Sequence, residues 1–259
     1  MTVELHHTEA GQGVPLVLLH AFPLSSAMWA AQREGLADVC RVITPDQRGL
    51  GASPLGSGPP SLDAVAHDVA ALLDRLRLDR VILGGLSMGG YVTMAFLRRY
   101  PDRVAGLVLA DTRAGADPPE GVLRRERLAE RVTGDEGLDA VFTEVVPNLF
   151  GPSTLEGRPE VVRRVHDLVR AAEPAAVAWA SRAMAVRPDS AGVLAAADVP
   201  ALVLVGEEDR LTPVADAKAM VHVLPRARLV RLPAAGHLSA IEDPEAFNAA
   251  VREFVADLG

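Results

Sequence analysis

Short apolar runs alternate with longer amphipathic segments along most of this 259-residue chain. A strand that is covered on both faces is apolar almost throughout, as residues 14–20 and 201–205 are. The runs therefore favour a mostly parallel sheet between layers of helices. Six of them predict β-strands: residues 14–20, 41–45, 81–83, 107–110, 201–205 and 228–232.

The longer segments carry the start signals of α-helices. Ser61 is a capping residue that precedes a single apolar stripe. Thr212-Pro213 and Asp243-Pro244 each join a capping residue to a proline suited to the first helical turn. Alternation of strands and helices predicts a layered α/β fold with right-handed crossovers. The predicted helices cover residues 61–78, 88–100, 213–224 and 244–258.

Residues 114–197 interrupt this alternation. The region has helical patterns and breaks such as Pro118-Pro119, but it has no convincing strand. We expect it to form a helical cap over the catalytic face, while residues 1–113 and 198–259 form the α/β core. No linker composition separates the region from its neighbours, so we interpret it as an insertion and not as an independent domain.

Composition and charge argue against nucleic-acid binding. Apolar residues make up 49% of the chain, which is enough for a large core, and the net charge is −8. Arg124, Arg125 and Arg127 are clustered, but glutamates are interleaved with them, as is typical of a solvated helix face. The chain therefore lacks the basic surface that nucleic-acid binding requires.

The cysteine count and the N-terminal residues bear on the compartment. Cys40 is the only cysteine, so no intrachain disulfide is possible, and we expect a buried thiol at the start of a strand. The first residues lack the basic start and apolar stretch of a secretory signal. No apolar segment approaches the roughly 20 residues that cross a bilayer. These features predict a cytoplasmic protein without membrane association.

The strongest chemical signal is the segment at residues 84–90, Gly-Gly-Leu-Ser-Met-Gly-Gly. It lies between a predicted strand and a predicted helix, and Gly85-x-Ser87-x-Gly89 matches a nucleophile elbow. Such a serine sits on a sharp, strained turn, where side chains two residues away on either side would collide with their neighbours. The following helix directs its N-terminus at the site and favours a developing oxyanion. We predict that Ser87 is a nucleophile.

A serine hydroxyl needs a base, and the base needs an orienting carboxylate. Of the seven histidines, His237 alone follows the last predicted strand in a loop, where ligands bind in open α/β sheets. Asp209 lies in the turn after the strand at 201–205 and is the predicted acid. Asp111, at the end of an earlier strand, is the alternative acid. The order Ser87, Asp209, His237 is that expected of an α/β hydrolase.

The oxyanion of an acyl-transfer intermediate requires preorganised backbone donors. We expect one donor to be the N–H of Met88, which follows the nucleophile. The second is predicted to be the N–H of Phe22, in the loop after the strand at 14–20. His20 is expected to brace this loop through hydrogen bonds and not to transfer protons.

The chain resembles the α/β-hydrolase superfamily over nearly its whole length. Four segments carry the family's motifs: residues 19–24, 46–53, 206–213 and 236–244. The chain is most similar to small bacterial esterases, to 3-oxoadipate enol-lactonase-like hydrolases and to cofactor-free haloperoxidases and perhydrolases. The resemblance implies a helical cap inserted after the sixth strand. In the oxyanion motif the family usually has His-Gly, where this chain has His20-Ala21. We interpret the turn at 46–53 as structural, with Arg48 joining loops.

The resemblance implies cleavage of a small carboxylic ester or lactone through a Ser-His-Asp triad and an acyl-enzyme. No metal motif or dinucleotide fingerprint is present, so no metal and no cofactor are expected. Arg124, Arg125 or Arg182 are candidates for contact with a substrate carboxylate. The candidate substrate-binding residues of the oxyanion loop and cap are Trp29, Leu123, Phe150, Trp179 and Met184.

Two alternatives remain open from the sequence. In the first, hydrogen peroxide replaces water on the same acyl-enzyme, which gives a perhydrolase. In the second, the chain is a ligand-binding or sensing protein that keeps the fold but turns over slowly. The sequence does not determine the oligomeric state.

Overall fold

The structure is a computed structural model that describes residues 2–258. Its sheet has the strand order β1-β3-β2-β4-β5-β6-β7, and every neighbouring pair is parallel except β1 with β3. The chain therefore has the mostly parallel α/β architecture that its apolar runs predict. The strands are β1 His7–Ala10, β2 Val14–Leu19, β3 Cys40–Pro45, β4 Val81–Leu86, β5 Val104–Ala110, β6 Ala201–Gly206 and β7 Ala227–Leu232.

Helices flank the sheet and follow from the capping signals in the sequence. The Ser61 side chain accepts a hydrogen bond from Ala64 N, and Asp243 Oδ1 accepts one from Ala246 N at 3.1 Å. Within residues 2–258 the α-helices are α1 Ala30–Gly35, α2 Leu62–Arg75, α3 Met88–Arg99, α4 Pro119–Thr133, α5 Asp139–Glu144, α6 Pro152–Gly157, α7 Pro159–Arg170, α8 Pro174–Ala185, α9 Ala191–Ala195, α10 Val214–Val223, α11 Ser239–Glu242 and α12 Pro244–Ala256. Short 3₁₀ helices cover Ser26–Trp29, Pro101–Arg103 and Val146–Asn148.

The hydrophobic core lies between the sheet and its helices. All six residues of β4 and of β6 are buried. Helix α3 packs on β2, β4 and β5 and against α2, while α12 packs on β6 and β7 and against α1. These central strands are buried on both sides, so their carboxyl ends are held firmly in place. Side chains of a site at these ends are held in position by the same packing.

The chain between β5 and β6 is entirely helical and irregular, with α4 packed against α8. This insertion follows the fifth strand of the chain and not the sixth, which corrects the position implied by the family resemblance. Within residues 2–258 only the five strands β1 to β5 precede the insertion. Within residues 2–258 no helix has the length and apolar character needed to cross a bilayer.

Most element boundaries differ from those predicted by one to three residues, and two of the differences bear on the site. Strand β4 continues to Leu86, beyond the predicted end at residue 83, because Gly84 and Gly85 still pair with β5. Helix α10 begins at Val214, so Thr212 does not cap it. In both places a residue that is typical of a turn or a cap takes part instead in building the site described next.

Candidate active site

Ser87 lies at the sharp turn between β4 and α3. Its backbone has φ 57° and ψ −113°, a conformation that side chains other than glycine rarely adopt. A Cβ on Gly85 would collide with the backbone of Gly89, and a Cβ on Gly89 would collide with the carbonyl of Leu19. The two glycines therefore allow α3 to start close to the end of β2, with the Ser87 side chain above the sheet.

Three side chains from three loops form a continuous hydrogen-bonded chain. Ser87 Oγ lies 2.8 Å from His237 Nε2, and His237 Nδ1 lies 2.8 Å from Asp209 Oδ2. His237 and Asp209 are buried. This is the geometry in which a base can take the serine proton while a carboxylate fixes the tautomer of the base. The structure thus brings together the three residues that the sequence predicted as a triad.

The loop after β6 holds Asp209 in a single orientation. Its Oδ1 accepts hydrogen bonds from Leu211 N at 2.8 Å and Thr212 N at 3.0 Å. Its Oδ2 accepts one from Thr212 Oγ1 at 2.7 Å, in addition to its contact with His237. Thr212 is a site residue that sequence reasoning missed, because Thr212-Pro213 was interpreted as a helix start. The Thr212 hydroxyl donates a hydrogen bond to Asp209 and does not cap the helix.

The environment of His237 raises its pKa above the ordinary value of 6.5. Burial by itself lowers the pKa of the imidazole, but the charge of Asp209 and the hydrogen bond to it outweigh that effect. A protonated imidazole at this position is therefore stabilised by its surroundings.

We expect this raised pKa to appear in the pH dependence of turnover. Only neutral His237 accepts the Ser87 proton, so activity falls as the pH falls through the His237 pKa. Because that pKa is raised, the midpoint of the acid limb of kcat/KM lies above 6.5. The measurement is kcat/KM for an uncharged ester from about pH 5 to about pH 9. An acid limb centred below 6.5 would contradict this assignment.

Asp111, the alternative acid, lies beside the triad but does not hydrogen bond to His237. Its Oδ1 accepts a hydrogen bond from Gly206 N at 2.8 Å, and its Oδ2 pairs with the Ser239 hydroxyl. Burial and the neighbouring charge of Asp209 raise its pKa well above the usual value. Asp111 therefore joins the acid loop to the histidine loop through its two hydrogen bonds.

Replacing Asp111 by Asn is expected to have only a modest effect on turnover. The amide has the shape of the neutral carboxyl, can keep both hydrogen bonds, and tolerates the φ of 43° at this position. We expect kcat/KM to fall by no more than about tenfold, equivalent to about 1.4 kcal/mol. Asp111→Leu leaves two buried polar groups unpaired and should lower the free energy of unfolding by about 1–3 kcal/mol for each. Steady-state kinetics and urea unfolding measure the two effects, and a total loss of turnover in Asp111→Asn would contradict the assignment.

The predicted oxyanion donors lie at the two sides of the turn. Met88 is the first residue of α3, and Phe22 lines the cavity that contains Ser87. Within residues 2–258 neither backbone N–H has a hydrogen-bond acceptor. Ala21 is buried but does not have a positive φ, so the alanine that replaces the usual family glycine sits in the loop without backbone strain.

His20 braces this loop as an uncharged imidazole. Its Nδ1 lies 3.0 Å from Ala21 O, and its Nε2 accepts a hydrogen bond from Gln47 N at 2.9 Å. Gln47 Nε2 returns a bond to His20 O at 2.7 Å. Complete burial lowers the pKa of His20 to about 4, so the ring stays neutral and keeps one donor and one acceptor. Gln47 was not identified from the sequence.

Arg48 joins the turn at 46–53 to helix α2 through Asp68, whereas the sequence predicted that it joins loops. Its guanidinium makes a bidentate, buried ion pair with Asp68, with distances of 2.7 and 2.8 Å, and a bond to Leu55 O at 3.1 Å. It does not line the cavity that contains Ser87. The turn therefore supports the oxyanion side of the site without reaching it.

A cavity of about 400 Å³ opens over Ser87 and His237. This volume is within the range of small-molecule sites. Met184, Arg124 and Arg125 of the insertion line it, as the sequence suggested. Its other charged or polar lining residues were not predicted: Tyr91, Arg113, Glu144, Asn148, Arg210 and Thr212.

Four candidate substrate-binding residues do not line this cavity, which corrects their assignment. Trp29 is fully buried and packs on Phe247, with ring centroids 5.8 Å apart. Phe150 is buried in the core, while Leu123 is 55% exposed. Trp179 Nε1 donates to a backbone carbonyl outside the site, at 3.2 Å.

Arg182 also does not line the cavity. Its Nε pairs with Glu126 at 3.2 Å. In the described part of the chain no group of three His, Cys, Asp or Glu side chains is arranged to hold a metal ion.

Several known proteins with similar sequences or structures are named as esterases, lactonases or haloperoxidases. A thermophilic esterase from Thermogutta terrifontis, solved with malate bound, is 44% identical, with a TM-score of 0.96 over 99% of this chain and 94% of the esterase. 3-Oxoadipate enol-lactonase 2 of Acinetobacter baylyi is 31% identical over 96% of this chain and 92% of its own. A putative non-heme chloroperoxidase of Synechocystis is 30% identical over 82% of this chain and 80% of its own.

The family model for the α/β-hydrolase fold matches residues 14–244, from the first residue of β2 to the first residue of α12. That span contains the nucleophile elbow, the acid loop and the histidine loop. Since the match covers most of the chain and agrees with the observed sheet order and elbow, this protein belongs to the α/β-hydrolase family.

Proposed function

We propose that the protein is a serine hydrolase that cleaves a small carboxylic ester or lactone. The observation that carries this proposal is the chain of two 2.8 Å contacts from Ser87 through His237 to Asp209, at the floor of a cavity large enough for a small substrate. A serine, a base and an orienting carboxylate at these distances are the parts that nucleophilic acyl transfer requires.

The reaction proceeds in two steps. His237 takes the proton of Ser87 as Oγ attacks the carbonyl carbon, and the N–H groups of Met88 and Phe22 receive the oxyanion. His237 then donates that proton to the departing alcohol oxygen, which leaves an acyl ester on Ser87. In the second step His237 takes a proton from water, the hydroxide attacks the acyl carbon, and Ser87 recovers its proton as the acid departs.

The insertion between β5 and β6 acts in this proposal as a cap. Residues 124, 125, 128, 144, 145, 148, 149 and 184 of the insertion line the cavity together with Ser87 and His237 of the core. A substrate bound there is enclosed by side chains from both parts of the chain, so the cap selects the substrate while the core carries out the chemistry.

The test is covalent labelling with a fluorophosphonate, combined with a panel of short-chain p-nitrophenyl esters. We expect one adduct per chain, located at Ser87 by mass spectrometry of peptides, and ester turnover that disappears once Ser87 is labelled. Ser57 lies in an exposed loop and provides the matched control, since Ser57→Ala should be labelled and should turn over normally. Tight binding of a ligand with Ser87 left unlabelled would instead favour a binding or sensing protein.

The similarity to a chloroperoxidase favours a second activity at the same site. In that reaction hydrogen peroxide replaces water and attacks the acyl carbon on Ser87, which releases a peracid and the free serine. Both activities need the same triad, so they differ only in the second nucleophile. The ratio of peracid to acid formed from one ester at several peroxide concentrations separates them.

A further inference from the structure

A buried carboxylate that takes no part in the proposed reaction lies beside the histidine loop. Glu242 is the last residue of α11 and is only 2% exposed. Its Oε1 accepts a hydrogen bond from Leu238 N at 3.0 Å, and its Oε2 accepts one from Gly151 N at 2.9 Å. A buried carboxylate is stable only where such bonds replace its contacts with water. The two N–H donors therefore hold the Glu242 side chain in one orientation.

The bond to Leu238 acts on the backbone of the proposed base. The N–H of Leu238 belongs to the peptide group that joins His237 to Leu238, so a bond to this group restricts rotation about the ψ angle of His237. The imidazole must meet Asp209 and Ser87 at once, each at 2.8 Å. A displacement of about 1 Å in such a geometry can lower the rate by about a hundredfold. Glu242 thus acts one peptide group away from the base.

The bond to Gly151 attaches the insertion to the same carboxylate. Gly151 directly precedes α6, and Leu149, two residues earlier, lines the cavity over the nucleophile. The insertion also packs closely on the histidine loop here, since a Cβ on Gly236 would collide with Gly151 N. One oxygen of Glu242 therefore holds the cavity wall, while the other holds the loop that carries the base.

We propose that Glu242 is a positioning residue of this site, whose single carboxylate fixes both the backbone that carries His237 and the insertion that encloses the substrate. The inference rests on the proposed hydrolase function and gives a role to a side chain that the reaction itself does not use. The two oxygens belong to one planar group, so the insertion and the histidine loop are held at a fixed separation. A change at Glu242 should therefore disturb the base, although Glu242 touches neither the imidazole nor the substrate cavity.

The charge of Glu242 also acts on the imidazole. Burial lowers the pKa of His237. Asp209 raises this pKa most, and Asp111 and Glu242, on two further elements, raise it as well. From the insertion, the guanidinium of Arg158 contacts Glu242 at its backbone carbonyl. Removing the Glu242 charge should thus lower the pKa of His237, so that the neutral base persists to lower pH.

The main test is Glu242→Gln, which keeps the size of the side chain but has one acceptor oxygen. Its NH₂ group must face the N–H of Leu238 or of Gly151, and that hydrogen bond is lost. For an uncharged ester we expect kcat/KM to fall by about a hundredfold, with the acid limb of its pH profile moved to lower pH. Hydrogen exchange, followed by NMR, should become faster at the amide that loses its acceptor.

A second variant separates position from charge. Glu242→Asp keeps the charge but is one methylene shorter, so it reaches at most one of the two amides. Its kcat/KM should also fall, while its acid limb stays close to that of the wild type. Thermal unfolding of each variant checks that the protein is folded. Wild-type kcat/KM in Glu242→Asp would overturn the positioning role.

Glu208 provides the matched control. It also joins the insertion to the core, because its carboxylate accepts hydrogen bonds from Ser153 N and Ser153 Oγ. In Glu208→Gln the amide can keep both contacts, since its oxygen accepts from the N–H and its NH₂ donates to the hydroxyl. This variant should leave kcat/KM, the acid limb and amide exchange nearly unchanged. Equal effects of Glu208→Gln and Glu242→Gln, or an acid limb that does not move in Glu242→Gln, would overturn the proposal.

A measurement without turnover separates this inference from the proposed function. The pKa of His237 is measured by NMR titration of its imidazole nitrogens, and the two amides are followed by hydrogen exchange. If Ser87 is neither labelled nor needed for turnover, the hydrolase fails. A lower His237 pKa and faster exchange in Glu242→Gln then still support the role of Glu242. Ser87-dependent turnover that is the same in Glu242→Gln as in the wild type overturns that role and leaves the hydrolase intact.

Discussion

Replacing Ser87 by Ala is expected to lower kcat by about a million-fold for any ester that the wild type hydrolyses. The substitution removes only Oγ, which is the atom 2.8 Å from His237 Nε2. The backbone bonds of the turn remain, since Ser87 N donates to Ala110 O and Ser87 O accepts from Tyr91 N. The variant should therefore fold as the wild type does and keep its substrate affinity.

The measurement is single-turnover and steady-state hydrolysis, with thermal unfolding as the control for folding. A melting temperature within a few degrees of the wild type's, together with the loss of turnover, assigns the loss to the missing nucleophile. Residual activity of about a thousand-fold over water is expected, because the Met88 and Phe22 donors still bind the oxyanion. Full ester turnover by Ser87→Ala would mean that another group carries the reaction.

The fold, and the positions of the three candidate triad residues, could be predicted because few residue types fit at each of these positions. Gly85 and Gly89 are required by the close approach of backbone at the elbow, and Ser87 lies between them with a positive φ. Asp209 and His237 lie in loops after β6 and β7, where parallel strands bring their carboxyl ends together. Local sequence and global topology therefore point to the same three residues.

The substrate-facing residues were harder to predict because tertiary packing decides where a large side chain points. The sequence makes Trp29 a candidate for the pocket. Its large apolar side chain is equally suited to the core, where Trp29 packs on Phe247. Leu123 lies on α4 five positions before the buried Leu128, which places it about 140° around the helix and in solvent. The pattern of a single sequence does not determine how such a helix is rotated about its axis, and therefore which of its side chains face the cavity.

Arg210 and Thr212 show a different limit of the sequence. They lie one and three residues after Asp209, and the pattern Thr-Pro at 212–213 is typical of a helix start. In the structure the helix begins later, so the Thr212 hydroxyl is free to donate to Asp209 Oδ2. A difference of one residue in the helix boundary therefore changes the role of the Thr212 hydroxyl, and helix boundaries are uncertain by one or two residues.

Asp209→Asn is expected to lower kcat/KM by about ten-thousand-fold, through the tautomer of His237. The backbone N–H groups of Leu211 and Thr212 both donate to Oδ1, so in the variant the amide oxygen takes that position. The amide NH₂ then faces His237 Nδ1, which must accept a hydrogen bond. The ring proton moves to Nε2, which faces Ser87. A protonated Nε2 cannot accept the proton of the Ser87 hydroxyl.

The control for this prediction is Asp111→Asn, the same substitution at the other buried carboxyl beside the base. Asp111 accepts from Gly206 N and pairs with Ser239, so its amide leaves the tautomer of His237 unchanged. Asp209→Asn should also lower the pKa of His237, because the charge and hydrogen bond that raise it are lost. Kinetics over pH together with NMR of the imidazole nitrogens tests both effects. Equal losses in the two variants would show that His237 takes its orientation from both carboxyls and not from Asp209 alone.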